Sequence, residues 1–231
     1  MNVALLTAAG SGTRMQLNIP KQFLHVDDKP VIIYTMEAFQ NHPSIDAIIV
    51  VTIDSWSDVL WAYAKQFGIT KLKWVVPGGD SGQESIRMGL EVLKKELSDE
   101  DVVLVHDGNR PLVSSQIISD SLATFSKYGC AVAAIPCTEV VFESDDGLTS
   151  MVSTERERLL RTQTPHTYRL GDLYGAHLEA ERRGLNNTAA SCMLMKELGR
   201  MTYFSKGSEE NLKITTPEDL KIFKALLSMR K

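Results

Sequence analysis

Short apolar runs alternate along the chain with longer stretches in which apolar residues recur every three or four positions. The runs at 3–6, Ala47–Thr52, 73–76, 102–106 and 131–135 are rich in β-branched residues and show no polar alternation, which predicts strands buried on both faces. Between them, Val31–Gln40 follows Pro30, a residue suited to the start of a helix. Residues 85–97 place Ile86, Leu90, Leu93 and Leu97 on one helical stripe, and 114–125 and 170–183 read the same way. A last helix is predicted to begin at Thr216-Pro217-Glu218-Asp219, with threonine as N-cap, proline next and acids in the first turn. Alternating strand and helix predicts an α/β fold: a three-layer, Rossmann-like α/β/α arrangement around a mostly parallel central sheet.

One segment breaks this rhythm. Residues 139–144 and 148–154 flank Asp145-Asp146-Gly147, a hairpin turn signal. The pair is too polar for the sheet centre, so it predicts a protruding β-arm, inserted at about 136–160 in one domain spanning 1–231. The arm is either a solvated flap or a reach toward a partner subunit.

The 231 residues are 43% hydrophobic, enough for a sizeable core. A net charge of -4, from 25 Lys+Arg against 29 Asp+Glu, disfavours a broad nucleic-acid surface but leaves room for a local basic pocket. No stretch has the length of a membrane span. The first strand lacks a basic flank and is broken by a glycine loop, unlike a signal peptide. Cys130, Cys137 and Cys192 have no metal-ligand spacing, and their odd number suits a reducing compartment, so a cytoplasmic protein is expected.

Four stretches carry candidate chemistry. The first strand ends in Ala8-Ala9-Gly10-Ser11-Gly12, followed by Arg14 and then Pro20-Lys21. Met15 stands where the dinucleotide fingerprint needs a third glycine, and the GK[ST] ending of a P-loop is missing. What remains is bare backbone N–H groups at a strand end beside two cations, a cradle for polyphosphate. The strand at 102–106 runs into Asp107-Gly108-Asn109-Arg110-Pro111, which offers a hard oxygen ligand and a phosphate clamp where open α/β sheets bind ligands. A glycine turn, Pro77-Gly78-Gly79-Asp80-Ser81-Gly82, precedes Ser85, and Lys213 lies in Asn211-Leu212-Lys213-Ile214-Thr215-Thr216. Any one of these alone also suits an ordinary turn, cap or surface side chain.

In this order and combination, AAGSGTRM…PKQF, PGGDSGQESI, HDGNRPL, RLLRTQTPHTY and NLKITTPEDL resemble the cytidylyltransferases of polyol phosphates. That family includes 2-C-methyl-D-erythritol 4-phosphate and ribitol-5-phosphate cytidylyltransferases. The resemblance spans nearly the whole chain and implies a nucleotidyltransferase fold, CTP as co-substrate, Mg²⁺ or another divalent cation, and a polyol phosphate acceptor. It implies that Arg14 and Lys21 contact the CTP phosphates, with Gly10 and Gly12 in the same loop. By the same resemblance, Ala8, Ala9, Gly79, Asp80 and Ser85 form the cytosine pocket. Asp107 lies near the metal and substrate, with Arg110 in the same motif. Arg156, Thr164 and Lys213 grip the polyol phosphate, Arg156 being carried on the β-arm of a homodimer. A phosphate oxygen of the acceptor attacks the α-phosphorus of CTP in line and pyrophosphate leaves. The nucleophile is already an anion, so the chemistry asks for positioning and cations rather than a base.

Departures from the family pattern bear on the substrate. Gly82 replaces the usual arginine of the glycine turn, and Gly108-Asn109 replaces Ala-x, which points away from a strict methylerythritol assignment. Ala190 stands where an ungapped count from Gly199 puts the family's aspartate. That substitution leaves open a non-catalytic CTP-binding relative, and the GxGTR…PK pattern leaves open a sugar-phosphate nucleotidylyltransferase using another nucleotide. An active enzyme would serve isoprenoid synthesis or teichoic-acid or capsule synthesis. His25, His42 and His177 read as surface or capping residues, His106 as structural, and His166 as a candidate substrate contact.

Overall fold

The computed structural model describes residues 1–10 and 19–230. Gly12 and Arg14 therefore lie outside the described residues. From β1 (Asn2–Ala8) the chain passes through a 3-10 turn at Lys21–Phe23 and a small ladder of β2 (His25–Val26) and β3 (Lys29–Pro30) to α1 (Val31–Gln40). Next come β4 (Ala47–Thr52), α2 (Ser57–Gln66), β5 (Leu72–Pro77), α3 (Gly82–Glu96), β6 (Val102–Asp107), α4 (Ser115–Tyr128) and β7 (Cys130–Pro136). The arm strands β8 (Val141–Glu143) and β9 (Val152–Thr154) precede β10 (Leu160–Arg169), α5 (Leu170–Arg182), α6 (Ser191–Glu197), β11 (Phe204–Lys206) and α7 (Pro217–Ser228).

The central sheet has the order β11-β7-β10-β6-β1-β4-β5. Its pairings are parallel except around β10, which runs antiparallel between β6 and β7. The chain winds outward from β1 to β5 and then crosses back to set β6 on the other side of β1. That reversal opens a crevice beyond the C-terminal ends of β1 and β6, the place where open α/β sheets bind ligands.

Alternation along β1 builds the three layers. Val3 and Leu5 face α3, α5 and α6 together with Ile49, Val51 and Val105. Ala4 and Leu6 face α1, α2 and α4 together with Ile48 and Val50. Each large aliphatic side chain removed from water this way contributes about 1.5–3 kcal/mol. α7, through Phe223, and the segment before it, through Ile214, close the end of the fold against Val31 and Leu112. Its start follows the sequence reading: Thr216 and Asp219 form a reciprocal capping box with Pro217 at the first position.

Four elements differ from the pattern-based reading because the pattern does not contain them. β10 has polar LRTQTPHTYR, and only its place between two apolar strands makes it a strand; its register shifts between Thr162 and His166, around a proline that has no amide to donate. α2, α6 and β11 are short or weakly periodic and went unread. α3 begins at Gly82 rather than near Ser85, because Ser81 caps it by accepting from the Glu84 N–H, an S-x-x-E signal that lies in the sequence. The arm is present with shorter strands than predicted. Residues 144–151 form a turn in which the Asp146 carboxylate accepts from the N–H groups of Leu148 and Thr149, both at 2.8 Å, and this tightens the tip at the expense of pairing.

Candidate active site

A cavity of about 600 Å³ occupies the crevice. Ala8, Ala9 and Gly10 form one wall as β1 ends, with Lys21 beside them. Gln22, almost fully buried, donates its amide to the carbonyls of Ala8 and of Gly10, the latter at 3.3 Å. This side chain ties the Lys21–Phe23 turn to the start of the glycine loop.

The opposite wall is the turn after β5, with Gly79 and Asp80, and the first turn of α3, with Ser85. The Gly79 N–H donates to Ser85 Oγ at 3.1 Å, and the Asp80 N–H donates to the Glu84 carboxylate at 2.9 Å. The two walls approach so closely that a Cβ on Gly78 would lie 2.2 Å from the Ala9 Cβ, so glycine is required there.

The floor is Asp107, at the end of β6. Its Oδ2 accepts from Arg110 Nε at 2.9 Å and its Oδ1 from Lys213 Nζ at 3.0 Å. Burial pushes the carboxyl pKa up, but Lys213 and Arg110 together outweigh it and hold the group below the usual carboxylate range. Lys213 reaches the floor because its irregular segment is tied down on both sides. Asn109 donates its side-chain amide to the Ile214 carbonyl and accepts the Ile214 N–H on its own carbonyl at 2.9 Å. Arg110 Nη1 donates to the Asn211 carbonyl at 2.6 Å, and Asn211 Nδ2 to the Thr164 carbonyl at 2.9 Å.

Thr164 sits between Asp107 and His106. Its hydroxyl accepts the Asp107 N–H at 3.1 Å and contacts His106 Nδ1 at 2.9 Å. His106 Nε2 faces the Arg110 carbonyl, an acceptor only, at 3.3 Å, so the neutral ring carries its proton on Nε2 and Thr164 donates to Nδ1. Burial holds His106 down at about 3, and His166 and His177 at about 4 each.

These lowered values predict acid sensitivity. In the unfolded chain an imidazole takes its proton near pH 6.5, whereas the folded chain keeps these three neutral to pH 3–4. The unfolded state thus binds more protons below pH 6.5. Stability falls as pH drops from 6.5 toward 4, by about 2 kcal/mol per histidine at pH 5. Thermal melts at pH 7.5 and 5 should show a large drop in Tm; an unchanged Tm would mean that the rings are hydrated rather than buried.

Most of the expected site residues meet in this cavity: Ala8, Ala9, Gly10 and Lys21 from one loop, Gly79, Asp80 and Ser85 from the second, and Asp107, Arg110, Thr164 and Lys213 at the floor. Arg156 does not join them. It lies on an exposed turn next to the arm and pairs with Glu157 at 3.0 Å. Gly108, expected to reshape the acceptor side, points away from it: a Cβ there would lie 2.7 Å from Ile32 Cδ1, under the floor. Asn109 does line the cavity, and it also holds Ile214 in place. Gln83, next to the missing arginine at Gly82, is a clasp. Its amide donates to the Leu185 carbonyl at 2.5 Å, and its carbonyl accepts from Thr188 N at 2.8 Å and Thr188 Oγ1 at 2.9 Å.

His42 and His177 are each 2% exposed, which corrects the surface reading of both. His177 could have been found, since it falls on the apolar stripe of Leu170, Leu173 and Ala180. Ala190 is the N-cap of α6 and supplies no side-chain bond to it. Ala190→Asp is expected to gain about 1 kcal/mol from capping, raising Tm by roughly 2–4 °C in a chain of this size. Calorimetry checks this, and no gain would mean that the added carboxylate is repelled within the cavity.

A doubly flanked parallel sheet, with a glycine loop and a cation-held carboxylate at its reversal point, defines a nucleotide-handling transferase. The chain belongs to the IspD family, described as 2-C-methyl-D-erythritol 4-phosphate cytidylyltransferase, whose sequence model matches residues 2–229. It is 40% identical over 229 residues to a ribitol-5-phosphate cytidylyltransferase of Lacticaseibacillus paracasei, covering 98% of both chains. It is 36% identical to a 2-C-methyl-D-erythritol 4-phosphate cytidylyltransferase of Clostridium acetobutylicum, covering 98% of this chain and 97% of the relative. The crystal structure of 2-C-methyl-D-erythritol 4-phosphate cytidylyltransferase from Thermus thermophilus superposes with a TM-score of 0.78 at 26% identity, covering 97% and 98% of the two chains.

Proposed function

We propose that this enzyme, a CTP-dependent cytidylyltransferase of polyol phosphates, uses ribitol 5-phosphate as its acceptor and forms CDP-ribitol and pyrophosphate. The observation that carries the reaction is the floor of the cavity, where Asp107 holds the Arg110 and Lys213 cations at 2.9 and 3.0 Å. Two anions must meet there, and cations fixed in advance offset their repulsion without reorganising during the reaction. The acceptor phosphate rests against Lys213 and Arg110, the triphosphate against the Ala8–Gly10 wall and Lys21, and the base between Ala8-Ala9 and Gly79-Asp80-Ser85. A phosphate oxygen attacks the α-phosphorus, and pyrophosphate leaves on the opposite side. No described residue needs to remove a proton.

A divalent cation fits this donor set as an ion brought by the nucleotide. Mg²⁺ takes one or two carboxylates, phosphate oxygens and waters. Asp107 would be its protein ligand through lone pairs that its two ion pairs leave open, and the ion would supply charge neutralisation at the phosphates. Ala190 removes a second carboxylate from the wall without removing Asp107.

The acceptor assignment rests on relatives that bear the ribitol-5-phosphate name at up to 40% identity, against 36% for one named for methylerythritol phosphate. We also propose a cytoplasmic homodimer in which the arm carries Arg156 to the neighbouring cavity. The arm exposes Val140, Phe142, Leu148 and Met151, an apolar surface that a lone chain would leave in water. Three buried free thiols suit a reducing cytoplasm.

The test is pyrophosphate release from CTP and Mg²⁺ with ribitol 5-phosphate, methylerythritol 4-phosphate and glycerol 3-phosphate in parallel. Ribitol 5-phosphate should give the highest kcat/KM. Preference for methylerythritol phosphate would reassign the acceptor, and CTP binding without turnover on any of the three would make the protein a non-catalytic relative.

A further inference from the structure

A further wall of the cavity is built by α5, α6 and the segment between them. His177 and Ser191 line the cavity there, 2% and 3% exposed. Among the described residues, neither imidazole nitrogen of His177 has a hydrogen-bond partner, and neither does Ser191 Oγ. Buried polar atoms in native proteins are nearly always paired with protein, water or ligand, so orphans that line a cavity mark a position for something that hydrogen-bonds. Beside them Thr188 is held by two bonds to Gln83 Oε1, and the third Gln83 contact fastens Leu185. The clasp fixes this edge of the cavity to α3.

We infer that His177 and Ser191 form a subsite for the hydroxyl groups of the polyol chain, with Thr188, clasped by Gln83, at its rim. The chemistry matches on both sides. A neutral imidazole offers one N–H donor and one acceptor nitrogen, and a serine hydroxyl can do either. An alditol carbon chain presents hydroxyls that also donate and accept, at spacings of one carbon. Burial keeps the His177 ring neutral, with Arg87 adding to the same effect, so the ring keeps both roles at neutral pH. With the phosphate fixed at Lys213 and the base in its slot, this is the wall left for the acceptor's carbon chain. A site built to hydrogen-bond a hydroxyl rejects an analogue lacking it far more strongly than an apolar pocket does, because the site's own polar groups are then left unpaired.

This inference rests on the polyol-phosphate reading above, and binding separates it from that reading. The probes are ribitol 5-phosphate and its 1-deoxy and 2-deoxy analogues, titrated calorimetrically into the full-length protein with a non-hydrolysable CTP analogue present. The wild-type protein should bind ribitol 5-phosphate at least about tenfold tighter than one of the deoxy compounds, the scale of one well-made hydrogen bond to a substrate hydroxyl. His177→Leu should bring that ratio to within about twofold of unity while leaving affinity for the CTP analogue unchanged. Ser191→Ala, a smaller change, should reduce the same ratio even if the histidine variant does not fold. The inference is overturned by a ratio near one for both analogues in the wild type. It is also overturned by a ratio that survives both substitutions, or by a loss of CTP-analogue affinity instead of polyol affinity. A His177-dependent ratio without turnover would keep the subsite and refute the reaction. Turnover with a ratio indifferent to both substitutions would keep the reaction and refute the subsite.

Discussion

Lys21→Met is expected to lower kcat for CMP transfer by about 10²–10³, with little change in Tm. The magnitude is that of a transition-state donor removed from a preorganised site. Lys21 begins the 3-10 turn Lys21–Phe23, behind buried Pro20 and beside Gln22, which is bonded to the start of the glycine loop. The ammonium is therefore positioned before substrate arrives. Attack by one phosphate on another gathers negative charge on the non-bridging oxygens, and no proton transfer relieves it. The backbone N–H groups of the loop remain in the variant, so catalysis falls without vanishing. Steady-state kinetics separate the possibilities. A rise in KM for CTP at unchanged kcat would mean that Lys21 binds ground and transition states equally, contrary to the role argued here.

The second large effect is expected at the floor. Lys213→Met should lower kcat/KM for the acceptor phosphate by about 10². Asp107→Asn should also impair activity, and the double variant should be less damaged than the product of the two single losses. Asp107 touches both Lys213 and Arg110, so each substitution disturbs a shared network, and residues in one network couple by about 0.5–3 kcal/mol. In Lys213→Met the half-buried carboxylate keeps, among the described residues, the Arg110 ion pair, and its burial is then less well compensated. In Asp107→Asn the lysine loses the partner that aims it. A double-mutant cycle on kcat/KM checks the coupling. Strict multiplicativity would mean that Asp107 and Lys213 act on different parts of the reaction and that their 3.0 Å contact is incidental.

The sequence by itself determined the layers and the place of the chemistry. Strands such as AIIVVT are apolar on both faces and can only be central, and the stripes of α3 and α5 leave each helix one face to bury. The motifs fell at strand ends because glycine and charge interrupt an apolar run there, and local composition shows this directly. The tertiary structure decided what depends on partners distant in sequence. β10 is a strand because β6 and β7 flank it, and its own residues do not say so. Gln83 faces the cavity wall as a clasp because residues about a hundred positions away come to meet it. Asn109 serves the acceptor side by fixing Ile214, and Gly108 lies under the floor, although the two are neighbours in one motif. His177 is a site candidate because the fold leaves its ring buried, against the cavity and without a partner among the described residues. Hydrophobic period and turn chemistry are properties of a few consecutive residues. Hydrogen-bond satisfaction belongs to the whole fold, and only the assembled molecule shows which polar groups still lack a partner.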